Sequence, residues 1–320
     1  MFSNEASTSA RSNITNTSIK ALFLGSKQFG QRIFECLATS APDTSWTILH
    51  PEDYGDARSS LDGFRALAER LGADFTLVSS RSQFRDWLLS LQPDVVFVCG
   101  WYWLMSEEEL SVPRLGLWGI HNSLLPRYRG GSPLVWAMIN GDKMVGSTVF
   151  RLTKGMDEGP ILFQVQLPVD ESVGIGEVLT RLNDLIVEEL PSKWKLILGG
   201  RVVTRSQNHD NAIYCGQRIE DDGRINWTRN SSEVHNFIRA QAPPYPCAFS
   251  TLNGQIIRIR SAVLIGDVYL STPGQVLKRS SQGVIVGCGE ATAISIQEVE
   301  FEGKVIRAAK AIKSNSDRLG

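Results

Sequence analysis

The sequence contains neither a long apolar run nor a pattern of paired cysteines. No stretch of about 18 consecutive apolar residues occurs, so no membrane-spanning helix is predicted. The five cysteines are an odd number and include no CxxC pair, which argues against a disulfide framework and against a zinc site. The first residues are rich in Ser, Thr and Asn and lack the apolar core of a signal peptide. We therefore expect a cytoplasmic protein without a membrane segment and without a bound metal.

An excess of charge of either sign is also missing. The chain has 33 Lys and Arg against 34 Asp and Glu, so no general attraction to nucleic acid or to anionic membranes is expected. The motifs HExxH and GxSxG are absent, which argues against zinc peptidases and against hydrolases with a nucleophile elbow. The segment LGSKQFGQRI at 24–33 matches neither GxGxxG nor GxxxxGK[ST]. A plain strand-to-helix turn is therefore favoured there over a phosphate site.

Strand-like and helix-like segments alternate over the first hundred residues. The runs IKALFLG (19–25), WTILHP (46–51) and PDVVFVCG (93–100) are typical of buried strands, and the segments between them carry apolar residues at helical spacing. This alternation predicts an α/β fold built on a doubly wound, largely parallel, Rossmann-like sheet. Because ligands bind such sheets at the carboxyl ends of the strands, the loops after these strands and after His121 are candidates for a binding site.

The pattern changes past Arg205, where a polar, turn-rich stretch precedes short β-like runs. Such runs, with the hairpin signal LNGQ among them, predict a small second domain of the β-barrel type. A chain of 320 residues is also long for one domain. The predicted division is a disordered tail at 1–18, a catalytic domain at 19–205, a linker and connecting helix at 206–240, an OB-like β domain at 241–306 and a tail at 307–320.

Two polar residues stand in glycine-rich loops at predicted strand ends. His121 follows an apolar strand and precedes a loop rich in Pro and Gly, and Asp157 lies in the Gly-flanked turn KGMDEG before another strand. On spacing alone His121 fits either a functional site or a histidine packed beneath the loop, and Asp157 alone fits a turn residue. Together they form a plausible acid–base pair, because an imidazole and a carboxylate can pass a proton and stabilise a developing oxyanion.

The segment HNSLLPRYRGGSPLVWAMINGDKMVGSTVFRLTKGMDEGPIL resembles the signature segment of the formyltransferases that use 10-formyltetrahydrofolate. The stretches LGSKQFG and DVVFVCGWYWLM are similar to the family's first strand loop and to its pterin-side strand. The stretch GRINWTRNSSEVHNFIRAQAPPYPCAFSTLNG is similar to the join between the catalytic domain and the small C-terminal barrel. The resemblance covers most of residues 19 to 300.

The resemblance implies transfer of a formyl group from N10-formyltetrahydrofolate, as co-substrate, to a primary amine, with no metal. His121 and Asp157 match the family's catalytic histidine and aspartate. Three segments match those that hold the folate, largely through backbone groups. The residues so implied are Cys99, Gly100, Trp101 and Tyr102, then Ser123, Leu124, Leu125 and Pro126, and finally Met156, Glu158 and Gly159.

One position departs from the family pattern. Many members have Asn two residues before the histidine, whereas this chain has Gly119, which offers no side-chain donor to the formyl oxygen. Loss of one such donor typically costs about 10² to 10³ in rate. Asn122 is the nearest replacement, although neighbours on a strand point to opposite faces, so it faces His121 only if the chain turns there. A backbone N–H or a water molecule serves equally well.

The acceptor amine is open among members of the family. A tRNA partner should leave a basic footprint, yet HPEDYGDARSSLDGF is acidic, and residues 206–320 hold thirteen Lys and Arg against eleven Asp and Glu. A small amine, first a nucleotide-linked amino sugar, is therefore favoured over methionyl-tRNA, and a free amino acid such as ornithine is a further alternative. A folate-binding protein with weak or lost transfer activity is the non-enzyme alternative, against which the retention of His121 and Asp157 speaks. The sequence is also compatible with a homodimer.

Overall fold

The computed structural model describes residues 18–56 and 58–320. The predicted disordered tail at 1–18 therefore lies, apart from Ser18, outside the described residues. The rest of the chain forms a large mixed α/β domain followed by a smaller antiparallel β domain.

The large domain is built on a sheet of seven strands in the order β3-β2-β1-β4-β5-β7-β8. The first five strands run parallel, and β7 and β8 are antiparallel additions at one side. This confirms the predicted doubly wound, largely parallel architecture. The strands are β1 (Lys20–Gly25), β2 (Ser45–Pro51), β3 (Asp74–Val78), β4 (Val95–Cys99), β5 (Leu117–His121), β7 (Met144–Arg151) and β8 (Ile161–Pro168), while the two-residue β6 (Arg129–Gly130) lies outside this sheet.

Eight α-helices accompany the strands in the described part of the chain, and none of them is both long and apolar enough to cross a membrane. They are α1 (Lys27–Ser40), α2 (Leu61–Leu71), α3 (Arg81–Leu91), α4 (Glu107–Ser111), α5 (Pro133–Ile139), α6 (Ile175–Leu198), α7 (Ser231–Arg239) and α8 (Ala308–Ala311). Successive residues of β1 alternate between two cores: Phe23 packs with α1 and α6, and Leu22 packs with α3. Helices therefore cover both faces of the sheet, as a buried parallel sheet requires.

The small domain is a six-stranded antiparallel sheet in the order β10-β11-β14-β13-β12, with β15 paired to β14. Its strands are β10 (Ala248–Leu252), β11 (Gln255–Leu264), β12 (Val276–Arg279), β13 (Val284–Gly287), β14 (Ala293–Phe301) and β15 (Lys304–Arg307). The predicted hairpin at LNGQ is present, with Asn253 and Gly254 both at positive φ (52° and 81°). Such angles match the right-handed twist of the strands, which explains why Asn-Gly is a strong hairpin signal.

The connecting segment and the chain end pack more closely than the predicted division suggests. Ile225 and Trp227, in the predicted linker, belong to the core of the small domain. The predicted tail at 307–320 contains α8, and its Ile312 and Leu319 are buried in the same core. The domain boundaries stay a prediction, but the structure does not show 307–320 as a free tail, because its apolar residues are buried in the core of the small domain.

Replacement of Ile312 with Ala should lower the free energy of unfolding by about 2–5 kcal/mol, because the change removes buried methylene groups and leaves a cavity. Urea denaturation of the full chain measures this change. The neighbouring Lys313 is exposed, and its replacement with Ala should stay within about 0.5 kcal/mol of wild type. Equal, small effects of the two substitutions would show that the chain end does not contribute to the core.

Candidate active site

His121 is the last residue of β5 and lies opposite Thr148 of β7. Only 9% of its surface is exposed, and its Nε2 lies 2.7 Å from the carbonyl oxygen of Tyr128. A carbonyl oxygen can only accept, so the Nε2 must carry a proton and donate it. The other ring nitrogen, Nδ1, is left to face the second member of the predicted pair.

Asp157 lies in the turn between β7 and β8, and its Oδ2 is 3.6 Å from the Nδ1 of His121. The same Oδ2 accepts a hydrogen bond of 2.8 Å from the backbone N–H of Gly130. The structure thus brings His121 and Asp157 together as predicted, although β7 is antiparallel to β5 and ends opposite Trp118, so the turn returns along the sheet to reach His121. The segment 128–130 contacts both, through the Tyr128 carbonyl and the Gly130 amide.

The turn that carries Asp157 is tight and conformationally demanding. Asp157 has a φ of 48°, in the left-handed region, which Asp tolerates better than most residues. A Cβ atom at Gly159 would overlap the carbonyl oxygen of Arg151, so no larger residue fits there without a shift of the backbone. Glycine at 159 therefore lets the chain return close to β7.

Gln207 is a contact of this turn that the sequence does not reveal. Its side-chain amide donates to the carbonyl oxygens of Asp157 and Gly159, at 2.8 and 2.7 Å. Its own oxygen accepts from the guanidinium of Arg129. No pattern in RSQNHD distinguishes this glutamine from its polar neighbours, since its partners are main-chain atoms 48 and 50 residues away.

The first segment implied to hold folate follows β4, at the carboxyl edge of the sheet. Cys99 is buried, and burial raises the pKa of its thiol to about 12, so this sulfur stays protonated near neutral pH. Gly100 has a φ of 77°, and its carbonyl oxygen accepts from Ser26 Oγ at 2.9 Å. Trp101 packs edge-on against Trp103, and Tyr102 is half exposed. The segment therefore offers backbone groups and one exposed phenol, rather than a thiolate.

The other implied folate residues lie on both sides of the pair. Ser123 is buried and donates to the carbonyl oxygen of Arg127, and Leu125 packs with Phe150 and Ile161. Further members are placed as follows: Leu124 lies against Gly146, Pro126 accepts from the backbone N–H of Ile213, Met156 is exposed, Glu158 folds over Gly155, and Gly159 is buried in the turn. The segments after β4, β5 and β7 thus flank the His121–Asp157 pair.

Asn122 does not join the pair. Its Oδ1 accepts a hydrogen bond of 2.9 Å from Ser147 Oγ, one residue before Thr148, the partner of His121. Because side chains alternate along strands, Asn122 and Ser147 share the face opposite to His121. The prediction that Asn122 could supply a donor beside His121 is therefore not supported by the geometry.

Gly119 sits between β4 and β7 at a position with little free space. A Cβ atom there would lie 2.7 Å from Leu152 Cδ1 and 3.5 Å from the carbonyl oxygen of Val98. Leu152 thus lies where a larger side chain at 119 would begin. No side chain at 119 donates to a substrate, and an asparagine would fit only if Leu152 moved.

A charged cluster lies beside Tyr102, at the carboxyl ends of β1 and β2. Lys27 Nζ donates to Asp53 and Asp56, at 3.1 and 2.6 Å, and contacts the hydroxyl of Tyr102. Burial alone would lower the pKa of Lys27, but its hydrogen bonds to Asp56, Tyr102 and Asp53 outweigh burial and raise it. Hydrogen bonds from Arg58, and also from Lys27, hold the pKa of Asp56 well below its usual range. The acidic loop after β2 is therefore neutralised internally.

A cavity of about 750 Å³ opens between the two domains. It begins at Ser132, two residues after the Gly130 amide that holds Asp157. Its wall carries three guanidinium groups, two carboxylates and two phenols, together with smaller side chains. These are Arg58, Arg218 and Arg258, then Asp56 and Glu220, and Tyr102 and Tyr245. The cavity therefore combines aromatic surface with a slight excess of positive charge.

Within residues 18–56 and 58–320, no group of three or more His, Cys, Asp or Glu side chains is close enough to hold a metal ion. The His121–Asp157 pair consists of an imidazole and a carboxylate. Nε2 of His121 is protonated and donates to the Tyr128 carbonyl, and its Nδ1 faces Asp157. The Asp157 carboxylate accepts a hydrogen bond from the Gly130 amide.

Replacement of Asp56 with Asn should flatten the loss of stability in acid. Its folded-state pKa is lowered, so its stabilisation is complete above the unfolded value of about 3.9 and is lost as the pH falls through the folded value. Thermal unfolding between about pH 6 and pH 3 should show a steeper decline for wild type than for Asp56→Asn. Asp62→Asn, at a fully solvated carboxylate, should follow wild type; parallel curves for all three would contradict the interpretation.

Models of known protein families match both domains of the chain. The family model of formyl transferases matches residues 64–193, and the model of the formyl transferase C-terminal domain matches residues 199–316. Methionyl-tRNA formyltransferase of Geobacter sulfurreducens is 32% identical over 219 residues, which cover 68% of each chain. The enzyme of the same name from Acetivibrio thermocellus is 32% identical over 221 residues, covering 69% of this chain and 70% of the relative.

Solved structures share the fold at lower identity. The N-formyltransferase from Helicobacter canadensis, in complex with folinic acid and dTDP-3-aminofucose, superposes with a TM-score of 0.67 and 17% identity, covering 87% of this chain and 99% of that one. HypX from Aquifex aeolicus, in complex with tetrahydrofolic acid, gives 0.63 and 15%, covering 93% and 48%. These likenesses concern the fold alone, and they include both the mixed sheet and the small β domain.

Proposed function

The chain belongs to the formyltransferase family, and on that basis we propose that it transfers a formyl group from N10-formyltetrahydrofolate to the primary amine of methionyl-tRNA. The observation that carries the transfer chemistry is the His121–Asp157 pair, whose Nδ1 and Oδ2 atoms are 3.6 Å apart. The three flanking segments after β4, β5 and β7 are proposed to hold the folate, chiefly through backbone N–H and C=O groups.

The proposed reaction uses the free nitrogen of His121. The acceptor amine attacks the formyl carbon, an oxyanion forms on the formyl oxygen, and Nδ1 of His121 takes the proton that the amine loses. Asp157 stabilises the imidazolium, and the same proton passes to N10 as the bond between N10 and the formyl carbon breaks. Once protonated, Nδ1 is also a charged N–H donor beside the oxyanion, which compensates for the missing side chain at Gly119.

Methionyl-tRNA as acceptor is supported by the named relatives and by the distribution of charge on the small domain. A groove of about 580 Å³ on this domain is lined by Lys278 and Arg307 and by no carboxylate. Lys304, Lys310 and Lys313 are exposed on the neighbouring β15, α8 and the residues after it. Within the described residues these five cations form no ion pair, so they are available for phosphate groups. The near-neutral composition thus includes a local basic groove, and this groove together with the named relatives leads us to reverse the preference for a small acceptor.

A small amine, of the nucleotide-linked amino sugar kind, is the second candidate. It is favoured by the loop after β2, where Asp53 and Asp56 neutralise Lys27 and leave little positive charge for an acceptor stem. The inter-domain cavity also has the volume typical of small-ligand sites, about 300–1,000 Å³. The basic groove distinguishes the two candidates, because a tRNA would bind to it and a small acceptor would not reach it.

His121→Ala and Asp157→Asn should each lower kcat by about 10²–10⁴, because the first removes the group that carries the transferred proton and the second removes the charge that stabilises the imidazolium. Release of tetrahydrofolate, followed with methionyl-tRNA and with nucleotide-linked amino sugars, measures the effect. Asp62→Asn is the matched control, since its carboxylate is 98% exposed. Turnover near wild type in either site variant would refute the site; tight folate binding without transfer to any amine would favour the non-enzyme alternative.

Lys278→Glu combined with Arg307→Glu should raise KM for methionyl-tRNA at least about tenfold and reduce the salt dependence of KM, because phosphate contacts make binding salt-dependent. Turnover at saturation should change little, since the groove lies on the small domain. Lys143→Glu, at an exposed lysine paired with Glu171 on the large domain, is the control. An unchanged KM for tRNA, together with efficient turnover of an amino sugar, would select the second candidate.

A further inference from the structure

We propose that Gln207 is a positioning residue that sets where Asp157 stands relative to His121; the inference rests on the proposed function. Gln207 lies in the segment between the two domains and is only 6% exposed. Its Nε2 donates to the carbonyl oxygens of Asp157 and Gly159, at 2.8 and 2.7 Å. One amide group is therefore hydrogen-bonded to two carbonyl oxygens of the turn that carries the carboxylate.

The orientation of this amide is fixed by Arg129. The Nε and Nη2 atoms of Arg129 donate to Gln207 Oε1, at 3.1 and 2.8 Å. Because a guanidinium has no acceptor, the amide must turn its oxygen to Arg129 and its NH₂ group to the turn. Arg129 is itself fully buried, and its Nη1 donates to the hydroxyl of Tyr214 at 3.0 Å. Within the described residues it has no carboxylate partner, so its orienting hydrogen bonds go to neutral groups.

The turn needs such support because of its own conformation. Asp157 occupies the left-handed region at a φ of 48°, which costs a non-glycine residue free energy unless the surroundings hold it. Gly130 holds the carboxylate from one side, and Gln207 holds the main chain from the other. Arg129 and Gly130 are consecutive, so β6 supplies the direct contact to the carboxylate and the group that orients Gln207.

Gln207 affects the proposed reaction through the distance between His121 and Asp157. The 3.6 Å between His121 Nδ1 and Asp157 Oδ2 is already longer than a hydrogen bond, so a small displacement of the turn removes the remaining interaction. Displacement of a reacting group by about 1 Å can cost about 10² in rate. Gln207 touches neither proposed substrate group, and its effect should pass through Asp157.

The test variant is Gln207→Glu, which keeps the shape of the side chain and its contact with Arg129. It replaces the NH₂ donor with an oxygen that the two carbonyl oxygens repel. In the full chain, kcat for formyl transfer should fall at least about tenfold, while KM for N10-formyltetrahydrofolate stays within about twofold, because positioning acts on the chemical step. Gln92→Glu is the matched control, since Gln92 is exposed at the end of α3. Turnover of Gln207→Glu equal to that of the control would overturn the inference.

A double-mutant cycle separates positioning from a merely structural role. In an Asp157→Asn background, Gln207→Glu should change kcat by less than about twofold, because residues that act as a unit are not additive. A full, independent loss in that background would show that Gln207 does not act through Asp157.

Crystal structures of wild type and Gln207→Glu supply a readout that needs no turnover. The distance between His121 Nδ1 and Asp157 Oδ2 should increase in the variant, and an unchanged distance would overturn the inference. A wild-type chain that transfers formyl to no amine would refute the proposed function alone, because the distance comparison still decides the role of Gln207.

Discussion

Two backbone groups, the carbonyl of Tyr128 and the amide of Gly130, determine the arrangement on which the site depends. The carbonyl engages Nε2 of His121, and the amide engages Oδ2 of Asp157. Main-chain groups of one short segment have little freedom to move relative to each other, so the spacing of the two side chains follows from the path of the chain. Rotamer preferences of His121 and Asp157 then matter less than the packing that fixes residues 128–130.

Much of this could be predicted from the sequence, for physical reasons that are specific to each element. The strands around Phe23 and Phe97 are buried on both faces, so they appear as continuous apolar runs. His121 and Asp157 could be predicted as a pair from their glycine-rich loops, but the path of the chain between them could not: β7 runs antiparallel to β5 and ends opposite Trp118, so the turn with Asp157 must return along the sheet to reach His121. Gln207 could not be found in this way, since hydrogen bonds to main-chain carbonyls impose no residue pattern on their partners. The packing of Ile312 was missed because short apolar segments near a chain end carry no periodicity.

The distribution of charge on the surface could not be predicted from the sequence either. Thirteen cations against eleven carboxylates in the last part of the chain average to near neutrality, whereas the fold gathers Lys278 and Arg307 in one groove without a carboxylate. The acidic loop after β2 behaves in the opposite way, because its carboxylates are occupied by Lys27 and Arg58. Net charge along the sequence therefore gives little information about the potential that an acceptor meets, and recognition depends on which charges remain unpaired.

The pairing of β6 with the two-residue strand β9 (Tyr214–Cys215) has a consequence for how the chain can be divided. Gly131 donates to the carbonyl oxygen of Cys215, and Trp136 Nε1 donates to that of Gly216, so the segment between the domains is bonded to the loop that holds the pair. A fragment that ends at residue 205 would lack Gln207 and β9 together. For domain exchange, the large domain is complete only when it extends past Gly216. A junction nearer to α6 would exchange part of the framework of the proposed site along with the small domain.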